Sequence, residues 1–160
     1  MANTSSDHST IAFGCDHAGF LLQKQLMNTV KSLGFNVIDC GTMDQSAVDY
    51  PDFAKQVIEK ILHHQVEKGV LICGTGIGMC ITANRQRGIR AACCYDRSQA
   101  ISARQHNDIN VLCLGSRIND EKVALDCLMA FLQTGFEGGR HQRRLSKIDS
   151  ALEPVWKIVT

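Results

Sequence analysis

Five short apolar runs alternating with longer amphipathic ones predict an α/β fold on a mostly parallel five-stranded sheet. The apolar runs are continuous rather than alternating, as strands covered on both faces require. Strand–helix alternation repeated this often implies right-handed crossovers that place helices on either side of the sheet. A length of 160 residues suits one hydrophobic core. No internal repeat, low-complexity segment or linker divides the chain.

Residues 1–9 are expected to form a disordered arm, without the basic and apolar regions of a secretory signal. Residues 10–160 are expected to form the single domain. IAFGC (11–15) opens the sheet. Leu22, Leu26, Val30 and Leu33 recur at helical spacing, with Gly34 placed as the residue that ends the helix. NVIDC (36–40) is the second strand. Pro51 opens the second helix as its first residue, and Phe53, Ala54, Val57, Ile58, Ile61 and Leu62 form its buried stripe. VLIC (70–73) is the third strand and runs into a glycine-rich turn that starts another helix. RAACC (90–94) follows, then Asp96 and Gln99 at capping-box spacing. VLCL (111–114) is the fifth strand. Asn119 is expected to cap the next helix, with Val123, Cys127 and Phe131 on one face. The last stretch begins basic and becomes an amphipathic helix through Leu145, Ile148, Leu152 and Val155, suited to docking on a partner subunit.

A net charge of +1 argues against general attraction to nucleic acid or to an anionic membrane. The apolar runs fall far short of the roughly 20 residues of a spanning helix. Eight cysteines with no CxxC pair argue against a zinc site. Cys40, Cys73, Cys93, Cys94 and Cys113 lie in or at the ends of apolar strands, where thiols behave as small hydrophobes. Reduced cysteines in a cytosolic chain are therefore expected, with Cys93 and Cys94 on opposite faces of a strand.

Ligands of open parallel sheets bind beyond the carboxyl ends of the strands. The first strand places Asp16 and His17 there, and the third places Cys73 before GTGIG. Bare N–H groups at a helix start form an anion nest. A phosphate loop would need Lys and Ser/Thr where Met79 and Cys80 stand. A dinucleotide fingerprint would need GxGxxG, whereas Gly74, Gly76 and Gly78 give GxGxG. A cysteine phosphatase would need an arginine at Met79. The turn suits an oxyanion that develops during reaction.

Two readings of Cys73 stand: a core thiol, or a thiolate favoured by the helix start, with Thr75 orienting it. His106 and Asn107 lie between the fourth helix and the fifth strand, at the amino edge opposite Cys73. His106 is either a partner of the helix dipole or a catalyst. If it shares a site with Cys73, a neighbouring chain must supply it. Arg140, Arg143 and Arg144 form either a solvated face or, with Arg117, an anion clamp. Together these groups suit a phosphorylated small molecule with an enolisable carbonyl.

GCDHAG, DYPDFA, CGTGIGM, ANRQRGIRAA, ARQHNDINVLCLGSR and GGRHQRR resemble the type B ribose-5-phosphate isomerase family, which includes galactose-6-phosphate isomerase subunits. The resemblance runs from about residue 10 to 150. It implies a Rossmann-like α/β/α sandwich, a homodimer or tetramer with shared sites, and no metal or other cofactor. It implies interconversion of ribose 5-phosphate and ribulose 5-phosphate in the non-oxidative pentose phosphate pathway. Cys73 would be the base between C2 and C1, with Gly74, Thr75, Gly76, Ile77 and Gly78 around the enediolate. His106 would open the sugar ring with Asp16, Asn107 would hold sugar oxygens, and Tyr50 would line the pocket. His17, Arg117, Arg140 and Arg144 would bind phosphate, the last two from the other chain. His141 and Arg143 match without an assigned role. A six-carbon sugar phosphate is the alternative substrate, and a nucleotide-binding regulatory domain the alternative of another class.

Overall fold

The computed structural model describes residues 10–150. Its elements are β1 (Thr10–Cys15), α1 (Phe20–Ser32), β2 (Asn36–Asp39), α2 (Tyr50–Leu62), β3 (Lys68–Cys73) and α3 (Ile77–Ala83). They continue as β4 (Ala91–Cys93), α4 (Arg97–Asn107), β5 (Val111–Gly115), α5 (Glu121–Gln133) and α6 (Arg140–Ser150). The strands are all parallel, in the order β2-β1-β3-β5-β4. The chain moves outward from β1 to β2 and then crosses back to β3. The winding therefore reverses between β1 and β3, where open sheets leave a crevice beyond the strand ends.

Side chains alternate by two along each strand, so each central strand feeds two cores. Ile11, Phe13, Val70, Ile72, Leu112 and Leu114 pack against Leu26 and Val30 of α1, Ala100 of α4, and Leu128 and Phe131 of α5. Ala12, Leu71, Cys73, Val111 and Cys113 face the other way, onto Val57, Ile58 and Ile61 of α2 and Met79 and Ala83 of α3. Fully burying a side chain such as Phe131 or Leu71 contributes about 1.5–3 kcal/mol. The result is a three-layer, Rossmann-like α/β/α sandwich. Cys93 and Cys94 face opposite cores, as expected. No described helix is long and apolar enough to cross a membrane.

Several local details differ from expectation. Gly34 does end α1 with φ of 94°, but Leu33 is the cap residue and stays exposed. Leu62, the last residue of α2, is exposed as well, and Tyr50 rather than Pro51 comes first in that helix. Asp96 accepts the Gln99 N–H at 2.9 Å, while the Gln99 side chain returns to the Tyr95 N–H at 2.7 Å, one residue before the cap. The cap of α5 is Asp120, which accepts the Val123 N–H at 2.8 Å. Asn119 is instead buried: its Oδ1 accepts the Gly115 N–H at 3.0 Å and its Nδ2 donates to the Cys94 carbonyl at 3.2 Å. A side chain that stitches the ends of β4 and β5 together is not free to cap a helix. In α6, His141 and Leu145 are buried and Ile148 is exposed. Residues 1–9, expected to form an arm, and Leu152 and Val155, expected in the last helix, lie outside the described residues.

Candidate active site

At the end of β1, Asp16 is buried and its Oδ1 accepts the N–H groups of Ala18 at 3.0 Å and Gly19 at 3.1 Å. These bonds fix the turn into α1. The next residue, His17, accepts the Val48 N–H on Nδ1 at 3.2 Å, tying the loop before α2 to this edge. Cys73 ends the neighbouring strand. It is 5% exposed, and its Sγ accepts the Gly76 N–H at 3.2 Å. Gly76 caps α3 with φ of 81°, and a Cβ there would stand 3.0 Å from the Leu114 backbone. Only glycine takes that conformation readily, so the residue that points an N–H at the sulfur has no easy substitute. Thr75 and Ile77 are both exposed, and the Thr75 Oγ1 accepts the Ile77 N–H at 3.3 Å. Within the nest, Gly76 thus donates to sulfur and Ile77 to a hydroxyl.

Two side chains lie directly on the glycines. Arg117 donates its backbone N–H to the Gly74 carbonyl at 3.0 Å, and a Cβ on Gly74 would come within 3.1 Å of its Nη1. The Tyr50 ring covers Gly78, where a Cβ would stand 2.5 Å from Cζ. His17 and Arg117 share an open cleft of about 500 Å³ with Gln45, Ser116 and Asn119. Cys73 is not part of that cleft's lining. The thiol and the cationic cleft are adjacent parts of one edge, joined through Gly74.

His106 and Asn107 occupy the last turn of α4, at the opposite edge. Their corner is firmly held. Asp108 takes a left-handed φ of 43°, and its carboxylate receives Arg104 Nη1 at 2.8 Å and Arg90 Nη2 at 2.7 Å. From this corner β5 runs to the thiol edge, with Val111 beside Gly69 and Gly115 beside Cys73. Four residue rises of about 3.3 Å separate the two edges by roughly 13 Å. Arg140 and Arg144 are exposed on α6 at the His106 edge, flanking His141. One chain therefore carries two groups of expected site residues. Asp16, His17, Tyr50, Cys73, Gly74 to Gly78 and Arg117 lie at one edge; His106, Asn107, Arg140 and Arg144 lie at the other.

Sequence reasoning missed Glu137. The rings of His106 and His141 stack with centroids 4.4 Å apart and planes 12° from parallel. Glu137 Oε2 stands 3.6 Å from His141 Nε2 and 4.0 Å from His106 Nε2. Its backbone N–H donates to the Gln105 carbonyl at 3.0 Å, which fixes this loop against α4. Gly138 and Gly139, both at positive φ, then turn His141 into the protein. Burial, the facing His106 and the neighbouring Arg140 and Arg144 hold the His141 pKa below the usual imidazole value. The three side chains offer ligand atoms within 4.8 Å of one another. The near-parallel rings keep their lone pairs in separate planes, however, so this arrangement does not converge on one ion. The sequence signal was a carboxylate and an imidazole placed around a double glycine in EGGRH.

Comparison with known proteins agrees with this geometry. Residues 11–148 match the model of the ribose/galactose isomerase family. The ribose-5-phosphate isomerase B of Escherichia coli K12 is 45% identical over 138 residues, which are 86% of this chain and 93% of that protein. A putative sugar phosphate isomerase of Rickettsia typhi is 46% identical over 138 residues, 86% of this chain and 96% of its own length. Among solved structures, the ribose 5-phosphate isomerase of Thermotoga maritima superposes with a TM-score of 0.88 at 46% identity, covering 89% of this chain and 99% of that one. The Mycoplasma genitalium ribose-5-phosphate isomerase B, solved with bound ribulose-5-phosphate, gives 0.85 at 41% identity, covering 89% and 95%. The match spans both edges and every motif between them, and on it this chain belongs to the ribose/galactose isomerase family of sugar phosphate isomerases.

Proposed function

We propose that this chain interconverts ribose 5-phosphate and ribulose 5-phosphate through a cis-enediolate, with each active site shared between two copies of the chain. The observation that carries this reading is the sulfur of Cys73. It sits at the sheet's switch point under the Gly76 N–H, beside a cleft that holds His17 and Arg117. In this reading His106 of a second copy opens the furanose ring, aided by Asp16. The Cys73 thiolate then takes the proton from C2 and returns it at C1. Negative charge grows on the carbonyl oxygen as the C–H bond breaks, and backbone N–H groups of the Gly74–Gly78 turn, with Thr75, meet it there. One such fixed donor is worth about 3 kcal/mol at the transition state. Tyr50 lines the sugar pocket and Asn107 holds sugar hydroxyls. His17 and Arg117 bind phosphate together with Arg140 and Arg144 of the second copy.

Sharing explains why one chain carries a thiol and an imidazole at opposite edges. In the same reading the exposed Ile148 belongs to a face of α6 that docks on the second copy, while Leu145 on the same helix is buried within its own chain. The enzyme works in the cytoplasm, whose reducing poise keeps its thiols free at rest.

A family that embraces ribose and galactose isomerases makes six-carbon sugar phosphates the competing substrates. One coupled assay over ribose, allose and galactose phosphates decides between them. Ribose 5-phosphate is expected to give the highest kcat/KM. A higher value for a six-carbon substrate would move the assignment within the family.

A further inference from the structure

Away from the sugar site, three thiols meet between α3 and β4. Cys93 and Cys113 are register partners on adjacent strands and face the same side of the sheet. Cys80, on α3, lies above them with its Sγ 3.4 Å from the Ala91 carbonyl. Asn84 holds the helix to the strand: its Nδ2 donates to the Ala91 carbonyl at 2.8 Å, and its Oδ1 accepts the Ala91 N–H at 2.8 Å. The same amide nitrogen lies 3.5 Å from the Cys80 sulfur. The three thiols are close enough to shift one another's ionisation.

Their environments differ in a way that assigns roles. Hydrogen bonds received from Cys113, then Cys93, and from Asn84 hold Cys80 well below the usual thiol range despite its partial burial. A hydrogen bond from Cys113 pulls Cys93 down, but its own donation to Cys80 and its burial outweigh that and raise it to about 11. Cys113 is fully buried in the middle of β5, and burial raises it further. Cys80 and Cys93 are both partly exposed, and Cys93 belongs to a three-residue strand at the sheet edge. A readily ionised, partly exposed thiol beside a second accessible thiol is the arrangement that hydroperoxides oxidise selectively.

We propose that Cys80 and Cys93 form a peroxide-sensitive dithiol that closes reversibly into a disulfide between α3 and β4. The Cys80 thiolate attacks one oxygen of hydrogen peroxide; the O–O bond breaks, hydroxide leaves and Cys80 becomes a sulfenic acid. The Cys93 sulfur then attacks the Cys80 sulfur, the S–O bond breaks and water leaves. Each sulfur is oxidised by one electron, and the two electrons reduce peroxide, with two waters formed after proton uptake. Cys93 rather than Cys113 resolves the sulfenic acid, because it is partly exposed on an edge strand that can shift toward α3. Cys113 is buried in β5, which is paired on both sides by β3 and β4. This inference stands on the thiol cluster alone and is independent of the isomerase reading.

The full chain is treated with hydrogen peroxide, alkylated and digested without reduction. The tryptic peptides that hold Cys80 and Cys93 also hold Cys73 and Cys94, so fragment ions assign the bridge. Titratable thiols are expected to fall by two from the eight free cysteines, through a Cys80–Cys93 link that dithiothreitol reverses. Cys80→Ser is expected to keep all its remaining thiols under the same treatment. Cys93→Ser is expected to accumulate a sulfenic acid at Cys80, trapped by dimedone. Retention of all eight thiols, a link other than Cys80–Cys93, one to Cys113 included, or an equal loss of two thiols in Cys80→Ser would overturn the proposal.

Discussion

At the scale of the residue, the account rests on Cys73 and on the pair His106–His141. A general base in an isomerase contributes on the order of 10²–10⁴-fold to rate. Cys73→Ala is expected to lose turnover by at least that much while still binding sugar phosphate, measured by coupled assay and titration calorimetry. Turnover near that of the unaltered chain would remove the thiol from the mechanism. His141 makes a different prediction. Burial and the facing His106, Arg140 and Arg144 lower its folded pKa, while Glu137 opposes them. A histidine that resists protonation when folded contributes stability above its unfolded pKa of about 6.5, and that contribution is lost as pH falls below it. Denaturation midpoints followed from pH 8 to pH 5 should therefore fall on acidification, and less steeply in His141→Gln. Parallel curves for the two proteins would show that His141 is not the titrating group.

At the scale of the element, α3 is a short helix whose first residue position is set by Gly76. Gly76→Ala forces a side chain into a left-handed conformation and toward the Leu114 backbone. The conformation alone costs about 1–2 kcal/mol. A lowered melting temperature and a loss of turnover are expected together, because the same backbone supplies the N–H on the sulfur. A melting temperature unchanged from the parent would mean the turn relaxes freely. Elements were also where the sequence was most and least legible. Apolar runs located all five strands, most plainly β1, β3 and β5, where burial on both faces leaves a signal that needs no partner information. Helix ends were harder. Periodicity cannot register where a helix lifts off the sheet, which left Leu33 and Leu62 assigned to stripes they do not join. Asn119 and Asp120 are adjacent residues of equal capping aptitude. Only the burial of Asn119 between β4 and β5 decides which of them caps α5. Glu137 was invisible for a related reason, since its meeting with His106 depends on how the loop after α5 folds back on α4.

At the scale of the whole molecule, the glycine turn, Arg117 and His17 could be placed together from strand-end logic alone, because a parallel sheet gathers such residues at one edge. The same logic put His106 at the other edge, and the structure keeps it there, with Arg140 and Arg144 of α6 beside it. In the proposed symmetric dimer that separation becomes a site, since each copy would offer its thiol edge to the imidazole edge of its partner.

Mixing two defective variants tests this sharing most directly. Cys73→Ala and His106→Asn chains are purified separately, unfolded, refolded together and assayed on the cyclic substrate. If each site joins one chain's Cys73 to the other's His106, a mixed dimer holds one site with both native residues. Random pairing should then restore about a quarter of the unaltered activity, since half the dimers are mixed and half of their sites are intact. Activity no greater than the average of the two variants alone would place thiol and imidazole in the same chain's site and contradict the account.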